Sequence, residues 1–263
     1  MSVRMLRRNL LHHLAKMPTV FGWMLLATGL GSVETQRYLR LIRRGEIVLD
    51  VGANLGNFTL LFSALVGPQG AVHSFEPVPP TFELLSERIR RDAHYRNIFT
   101  NPIACSEGRG TAEIIVPAGD LGQAAMRTHA SGSWTTDTKR ERFYVPTTRL
   151  DDYVAERNLT RLDFIKCDAE GAELLVLRGA TGLLKQFEPL LHLEVAEFWT
   201  RDFGYGPSDL ADFLEEAGYS HFRIEEETVR PEDLRDRLAG RAREISVNLL
   251  CACSSRAERL RGL

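Results

Sequence analysis

The fold turns on Val48-Leu49-Asp50-Val51-Gly52-Ala53-Asn54-Leu55-Gly56-Asn57-Phe58. Glu46 to Val51 is nearly continuous in apolar residues, as expected of a strand covered on both faces. Phe58, Leu61, Phe62 and Leu65 follow at i, i+3, i+4 and i+7, the spacing of a helix with one apolar face. Between them lies a turn carrying Gly52 and Gly56. A second apolar strand, Ala71 to Phe75, ends in Glu76, twenty-six residues after Asp50. Strand, glycine turn, helix and strand make a βαβ unit. In open α/β sheets, ligands sit beyond the carboxyl ends of such strands.

The residues around the turn narrow the ligand. Gly52 lets the backbone turn tightly and come close to a ligand, and Gly56 lets the helix start against the strand. A pyrophosphate cofactor favours G-x-G-x-x-G without adjacent negative charge. Here only two glycines are present and Asp50 leads into the turn. An acid at that point favours an amino group over a phosphate. Glu76, at the end of the second strand, suits a ribose diol. S-adenosylmethionine carries an amino acid end and a ribose and no phosphate. The competing structural reading is a helix-packing glycine beside a solvated acid.

Outward from this unit, Thr81 is a candidate cap for a helix carrying Phe82, Leu85 and Ile89. Asn97 to Ala104 reads as a third strand. The alternation of strand and helix calls for a parallel sheet with right-handed crossovers. Ala112 to Val116 and Phe143 to Val145 are short strand candidates on either side of Gly119–Arg142, which has no apolar period. Thr148 to Tyr153 is a helical turn. Leu162 to Cys167 is a strong fourth strand leading into Asp168-Ala169-Glu170-Gly171, and a helix with Leu174, Leu177 and Ala180 follows. Pro189 to Val195 is a fifth strand. Ser208 is a candidate cap for a helix that Gly218 ends. Tyr219 to Ile224, a helix over Pro231 to Gly240, and a last strand over Ile245 to Ala252 complete the order.

Four separated blocks, Val48 to Phe58, Phe75-Glu76-Pro77, Thr148 to Tyr153 and Phe164 to Glu173, resemble the FkbM family of S-adenosylmethionine-dependent methyltransferases. The resemblance covers about residues 45–200. It implies a Rossmann-like α/β domain with a seven-stranded, mostly parallel sheet, an antiparallel last strand and helices on both faces. It implies a cofactor held by Asp50, Gly52, Asn54, Gly56 and Glu76, with Asp168 near the methionine end; Pro77 and Ala104, at neighbouring strand ends, complete the candidate set. It further implies methyl transfer to a hydroxyl of a sugar or secondary metabolite. A nicotinamide-dependent dehydrogenase and a cofactor fold retained as a partner-binding module are the alternatives.

A hydroxyl acceptor needs a base or a metal to become nucleophilic. Lys166 and Asp168 share a face if their strand persists, as do His192 and Glu194 on the next. These four are the candidate catalytic residues. For His192 the alternative is a histidine hydrogen-bonded within the core; for Lys166 it is an ion pair. A divalent metal on Asp168 and Glu194 is conceivable, but two carboxylates do not make a site. Glu170 and Glu173 read as acids at a helix start. His73, His94, His129 and His221 read as packing or surface residues. Within 119–142, Arg127, His129, Trp134 and Arg140 are candidates to grip a sugar, against the alternative of a plain surface loop.

With 263 residues, 44% hydrophobic and 26% charged, the chain has an ordinary globular composition, and its net charge of −2 gives no global argument for nucleic acid. The charge is uneven: residues 1–44 carry +7, which leaves −9 for the rest. That segment reads as a basic helical appendage to a domain over 45–256. Its apolar stretch, residues 19–30, is far short of the ~20 residues that span a bilayer. Packing on the main domain or in a homodimer is expected, with contact to a membrane surface as the alternative. Cys105, Cys167, Cys251 and Cys253 read as buried thiols, which fits a cytoplasmic, reducing setting.

Overall fold

The computed structural model describes residues 32–91, 95–117, 140–243 and 245–263. The expectations for residues 1–31, including the basic helix and the apolar stretch, therefore lie outside the described residues, as do those for Arg127, His129, Trp134 and His94.

The main sheet has eight strands: β1 (Ile47–Val51), β2 (Ala71–Phe75), β3 (Ile98–Asn101), β7 (Phe164–Cys167), β8 (Leu190–Val195), β9 (Tyr219–Ile224), β10 (Glu227–Val229) and β11 (Val247–Cys253). Their order is β10-β9-β11-β8-β7-β1-β2-β3. Strands β8, β7, β1, β2 and β3 are parallel, and the last strand, β11, runs antiparallel between β8 and β9. The expectation of seven strands is one short. The sequence after Ile224 folds back through Glu225-Glu226 into β10, a three-residue edge strand too brief to show a period of two.

The expected third strand is also corrected. Pro102 cannot donate to a ladder, and the chain leaves the main sheet there. Ala104–Cys105 (β4) instead joins a second, three-stranded sheet with Gly110–Pro117 (β5) and Arg140–Thr148 (β6). The short strand candidates are thus the cores of a long hairpin, and Arg140 to Arg142 belong to β6, not to a loop. Val78, Ala104, Ile114, Val116 and Val145 form this sheet's own small core.

Helix placement follows the alternation of the strands. Leu49, Val51, Ile165, Cys167, Leu191 and Leu193 point to one face, under a layer that includes α4 (Leu150–Glu156), α5 (Glu173–Arg178), α6 (Thr181–Phe187), α8 (Pro207–Glu216) and α9 (Pro231–Ala242). Val48, Val72, Phe164, Leu190 and Leu250 point to the other face, under α1 (Val33–Leu41), α2 (Asn57–Val66) and α10 (Ala257–Arg261). There the rings of Tyr38, Phe62 and Phe164 meet edge to face, with centroids 4.8–5.9 Å apart. Ser32 caps α1 through a bond from the Thr35 N–H, as its sequence position predicts.

Two expected boundaries do not separate packing units. Tyr38 and Leu41 of α1 are fully buried in the core, so this part of the segment assigned to an appendage is built into the domain. Beyond residue 256, Leu260 is also part of that core, and Arg259 makes a buried ion pair with Glu46 at the start of β1.

Two expected caps are wrong. α3 (Pro79–Arg90) starts at a proline, so Thr81 lies inside it, buried, and its hydroxyl makes no bond. α8 likewise starts at Pro207, and it is Asp209 that reaches back to the Gly206 N–H at 2.7 Å. Proline at the first helical position moves the cap two or three residues ahead of the expected one.

Candidate active site

The parallel strands end in polar residues on the α1 face. Val48 is followed on that face by Asp50, Phe164 by Lys166, and Leu190 by His192. The ladder aligns Asp50 with Lys166 and Lys166 with His192. The next residues along the face are Asp168 and Glu194, with Asn248 opposite Glu194 on β11. The four candidate catalytic residues are thus brought together, and the convergence expected of neighbouring strand ends is present.

The turn after β1 is shaped by its neighbours. Gly52 has φ +76°, and a Cβ there would stand 1.8 Å from the Asp168 carbonyl oxygen. Its first requirement is therefore the close crossing of the β7 end, ahead of any ligand. Gly56, at φ +80°, begins α2, and a Cβ on it would meet the Leu85 side chain of α3 at 2.3 Å. Asn54 also has a positive φ, which asparagine tolerates.

Glu76 fastens this turn. Its two carboxylate oxygens each accept one backbone N–H, from Asn54 and from Val78, both at 2.9 Å. Each oxygen keeps a further lone pair. Burial pushes Glu76 up to about 7 despite those two bonds. Asp50 is buried and also raised by burial; Thr59 donates to one of its oxygens at 2.5 Å, and the other has no hydrogen-bond partner.

A cleft of about 480 Å³ opens beside the turn. Gly52, Glu76, Pro77, Ala104 and Asp168 of the expected cofactor set line it, while Asp50, Asn54 and Gly56 do not. Phe75, Ile103, Cys105, Ile114 and Ala169 also line it and were missed from sequence. Ile114 comes from the second sheet, and nothing local to its strand signals that the hairpin folds over the first. The donor set fits S-adenosylmethionine: an apolar slot for a flat base, a carboxylate with free lone pairs for a diol, and the acids Glu76 and Asp168 with no cation among the lining residues.

A smaller, shallow cleft lies on the α1 side, lined by Glu34, Tyr38, Phe58, Lys166, His192, Glu194 and Asn248, with Asp168 common to both clefts. Lys166 is buried, 3.0 Å from Asp168 and 3.9 Å from Asp50. Burial opposes its charge, but these two carboxylates outweigh that and hold its pKa above the ordinary lysine value. Burial would raise Asp168 too, yet Lys166 and a hydrogen bond with Glu194 leave it lowered and ionised. Glu194 bears the consequence: burial and the Asp168 carboxylate push it up to about 8. At neutral pH a proton therefore lies between the two carboxyl groups.

His192 has both ring nitrogens engaged. Nε2 meets the Asn248 Oδ1 at 2.9 Å, and the Asn248 amide donates to Glu225 at 3.2 Å. An amide oxygen accepts only, so Nε2 carries the proton and Nδ1 accepts from the Tyr38 hydroxyl. Burial, then Lys166, lowers the ring to about 4, so it is neutral. His73 is likewise a buried packing residue, bonded to the Tyr153 hydroxyl at 2.8 Å. Burial and the neighbouring carboxylates raise Glu170 to about 9; burial raises Glu173 to about 7 while it accepts from the Ala169 and Gly171 N–H groups at the start of α5. The four cysteines are free and buried. Among the described residues, no group of three or more His, Cys, Asp or Glu side chains is placed to hold a metal, and no helix is long and apolar enough to cross a membrane.

The model of the methyltransferase FkbM domain matches residues 50–220. The chain is 29% identical over 160 residues to 31-O-demethyl-FK506 methyltransferase FkbM of Streptomyces tacrolimicus, covering 52% of this chain and 60% of that protein. It is 26% identical over 175 residues to the hexuronic acid methyltransferase AglP of Haloferax volcanii, covering 66% of this chain and 64% of that one. A crystal structure of methyltransferase FkbM from Methylobacillus flagellatus superposes with a TM-score of 0.49 at 17% identity, over 89% of this chain and 53% of that one. The chain thus spans about three-fifths of the length of these two curated relatives. With the domain model covering well over half of it, the chain belongs to the FkbM family of methyltransferases.

Proposed function

We propose that the protein transfers a methyl group from S-adenosylmethionine to a hydroxyl of a sugar or secondary metabolite. The observation that carries this reading is Asp168, which lines the cofactor cleft and the smaller cleft at once and is hydrogen-bonded to Glu194. The names of two relatives, an O-demethyl-FK506 methyltransferase and a hexuronic acid methyltransferase, support an oxygen acceptor.

S-adenosylmethionine supplies an electrophilic methyl group on a sulfonium. The chain's own residues do the rest. Glu76 holds the ribose diol on its free lone pairs, and Phe75, Ile103 and Ile114 enclose the base. Gly52, Asn54 and Gly56 act by shaping the turn, and Asp50 through Lys166 and Thr59. Glu194 is the general base, because its pKa of about 8 gives it both a usable ionised fraction and real proton affinity near neutrality. Asp168 orients that base and the acceptor hydroxyl. Lys166 keeps Asp168 ionised, and so keeps Glu194 high. His192 is a positioning residue: with both nitrogens bonded and its basicity reduced, it ties α1 to β8 and β11 and accepts no proton from the acceptor.

The test is incubation with S-adenosylmethionine carrying a ¹³C methyl group and a panel of sugars and hydroxylated small molecules, with the product read by NMR. An O–CH₃ resonance is expected. Label appearing on nitrogen, carbon or sulfur, or in no acceptor of the panel, would sink the proposal.

A further inference from the structure

The smaller cleft draws part of its wall from outside the common domain. Glu34 on α1 and Asn248 on β11 lie beyond the residues 50–220 that the family model covers. They are joined to each other, the Asn248 amide reaching Glu34 at 3.4 Å. Asn248 is fixed in turn by His192 and Glu225. Glu34 is therefore tied to the wall of the cleft and is not a free surface acid.

The charge balance of the cleft is one-sided. Glu34, Asp168 and Glu194 face it, and its cations are committed elsewhere. Lys166 is bound to Asp168 and lies near Asp50. Arg37, the cation beside Tyr38 on α1, is bound to Glu225 at 3.0 Å and Glu226 at 2.8 Å. A carboxylate or phosphate on the acceptor would meet Glu34 and the Asp168–Glu194 pair and, among the residues lining the cleft, no cation but Lys166, which is already bound to Asp168. Hydroxyl groups are donors and suit the same oxygens. Phe58 adds an apolar surface to the wall.

We propose that Glu34 is a specificity-determining residue of the acceptor site and that the acceptor is an uncharged polyol, such as a neutral sugar ring, with acidic sugars rejected. This rests on the O-methyltransferase reading and narrows it. A like charge about 6 Å away at an effective dielectric near 40 is enough for roughly tenfold discrimination.

The experiment compares kcat/KM for neutral methyl hexosides with that for the matching methyl hexuronosides, in the wild type, Glu34→Gln and Glu34→Lys. S-adenosylmethionine affinity is measured alongside as a check on folding. The wild type should favour the neutral member by roughly tenfold or more; Glu34→Gln should shrink that ratio, and Glu34→Lys should abolish or invert it, with cofactor affinity unchanged. Equal use of both sugars by the wild type, or a ratio unmoved in both variants, overturns the role of Glu34 and leaves O-methylation standing. Cofactor binding without methylation of any hydroxyl overturns the functional reading and this inference with it.

Discussion

Replacing Gly52 by alanine isolates what the turn after β1 must satisfy. Two penalties act at that position. A φ of +76° costs an L-residue about 1–2 kcal/mol. The added Cβ also lands 1.8 Å from the Asp168 carbonyl oxygen. That oxygen is backbone and cannot rotate away, so the turn must back off the end of β7, at a further cost of about 1–3 kcal/mol. Gly45 is a matched control, with φ +80° and nothing within 4 Å of where a Cβ would stand. Urea unfolding should therefore find Gly45→Ala weaker by about 1–2 kcal/mol and Gly52→Ala by about 1–3 kcal/mol more than that. For a chain of this size the gap corresponds to roughly 2–12 °C in melting midpoint. Calorimetric titration with S-adenosylmethionine should find binding impaired in Gly52→Ala alone, because the displaced turn carries Asp168 and Glu76 apart. Equal destabilisation by the two substitutions would refute the crossing as the reason for glycine at 52.

Two further outcomes follow from the acids of the site. If Glu194 is the base, its ionised form is the active one, so kcat/KM should rise with pH and level off above about 8; Glu194→Gln should remove that rise and lower turnover about 10²–10⁴-fold while cofactor affinity holds, and a variant that keeps the wild-type profile would place the base elsewhere. Stability should fall as pH rises above neutrality. Glu76, Glu173, Glu194 and Glu170 stand at about 7, 7, 8 and 9 against an ordinary 4.5, so the fold keeps protons the unfolded chain has released, and the stability they contribute is lost as pH rises through that range. His73 and His192, lowered to about 4, contribute stability above 6.5 that is lost as pH falls towards 4. The melting midpoint of the ligand-free protein should thus fall from pH 7 to pH 9, where the four carboxyl groups release their protons and the two histidines no longer titrate in either state; a midpoint still rising over that interval would contradict the raised carboxyl groups.

What could be read from sequence was whatever lies within a few residues of chain. The βαβ unit was legible because the strand, the turn and the periodic helix are each local patterns. Glu76 was legible because a strand end is, and so was the antiparallel last strand, through the family resemblance. The misses have a common physical source. Pro102 moves the chain from one sheet to another, and only the pairing partners reveal it. Ile114 reaches the cofactor cleft by a fold-over of the hairpin. Glu34 and Tyr38 were placed in an appendage because their charge and composition differ from the rest, although an apolar stripe of Tyr38 and Leu41 was already there to be buried. His192 was offered as a base on its ordinary pKa; the bonds from Tyr38 and to Asn248 that decide against it come from residues 154 and 56 positions away.

The most direct test of the site is the binding of S-adenosylmethionine by the wild type, Glu76→Gln and Glu76→Ala, measured by calorimetry on samples whose folding is checked by their melting curves. Removing the carboxylate takes away a charge-assisted bond to a diol, worth about 1.5–3 kcal/mol, so affinity should fall by roughly ten- to a hundredfold in both variants. Wild-type affinity retained by folded Glu76→Ala would contradict the placement of the cofactor beside this turn.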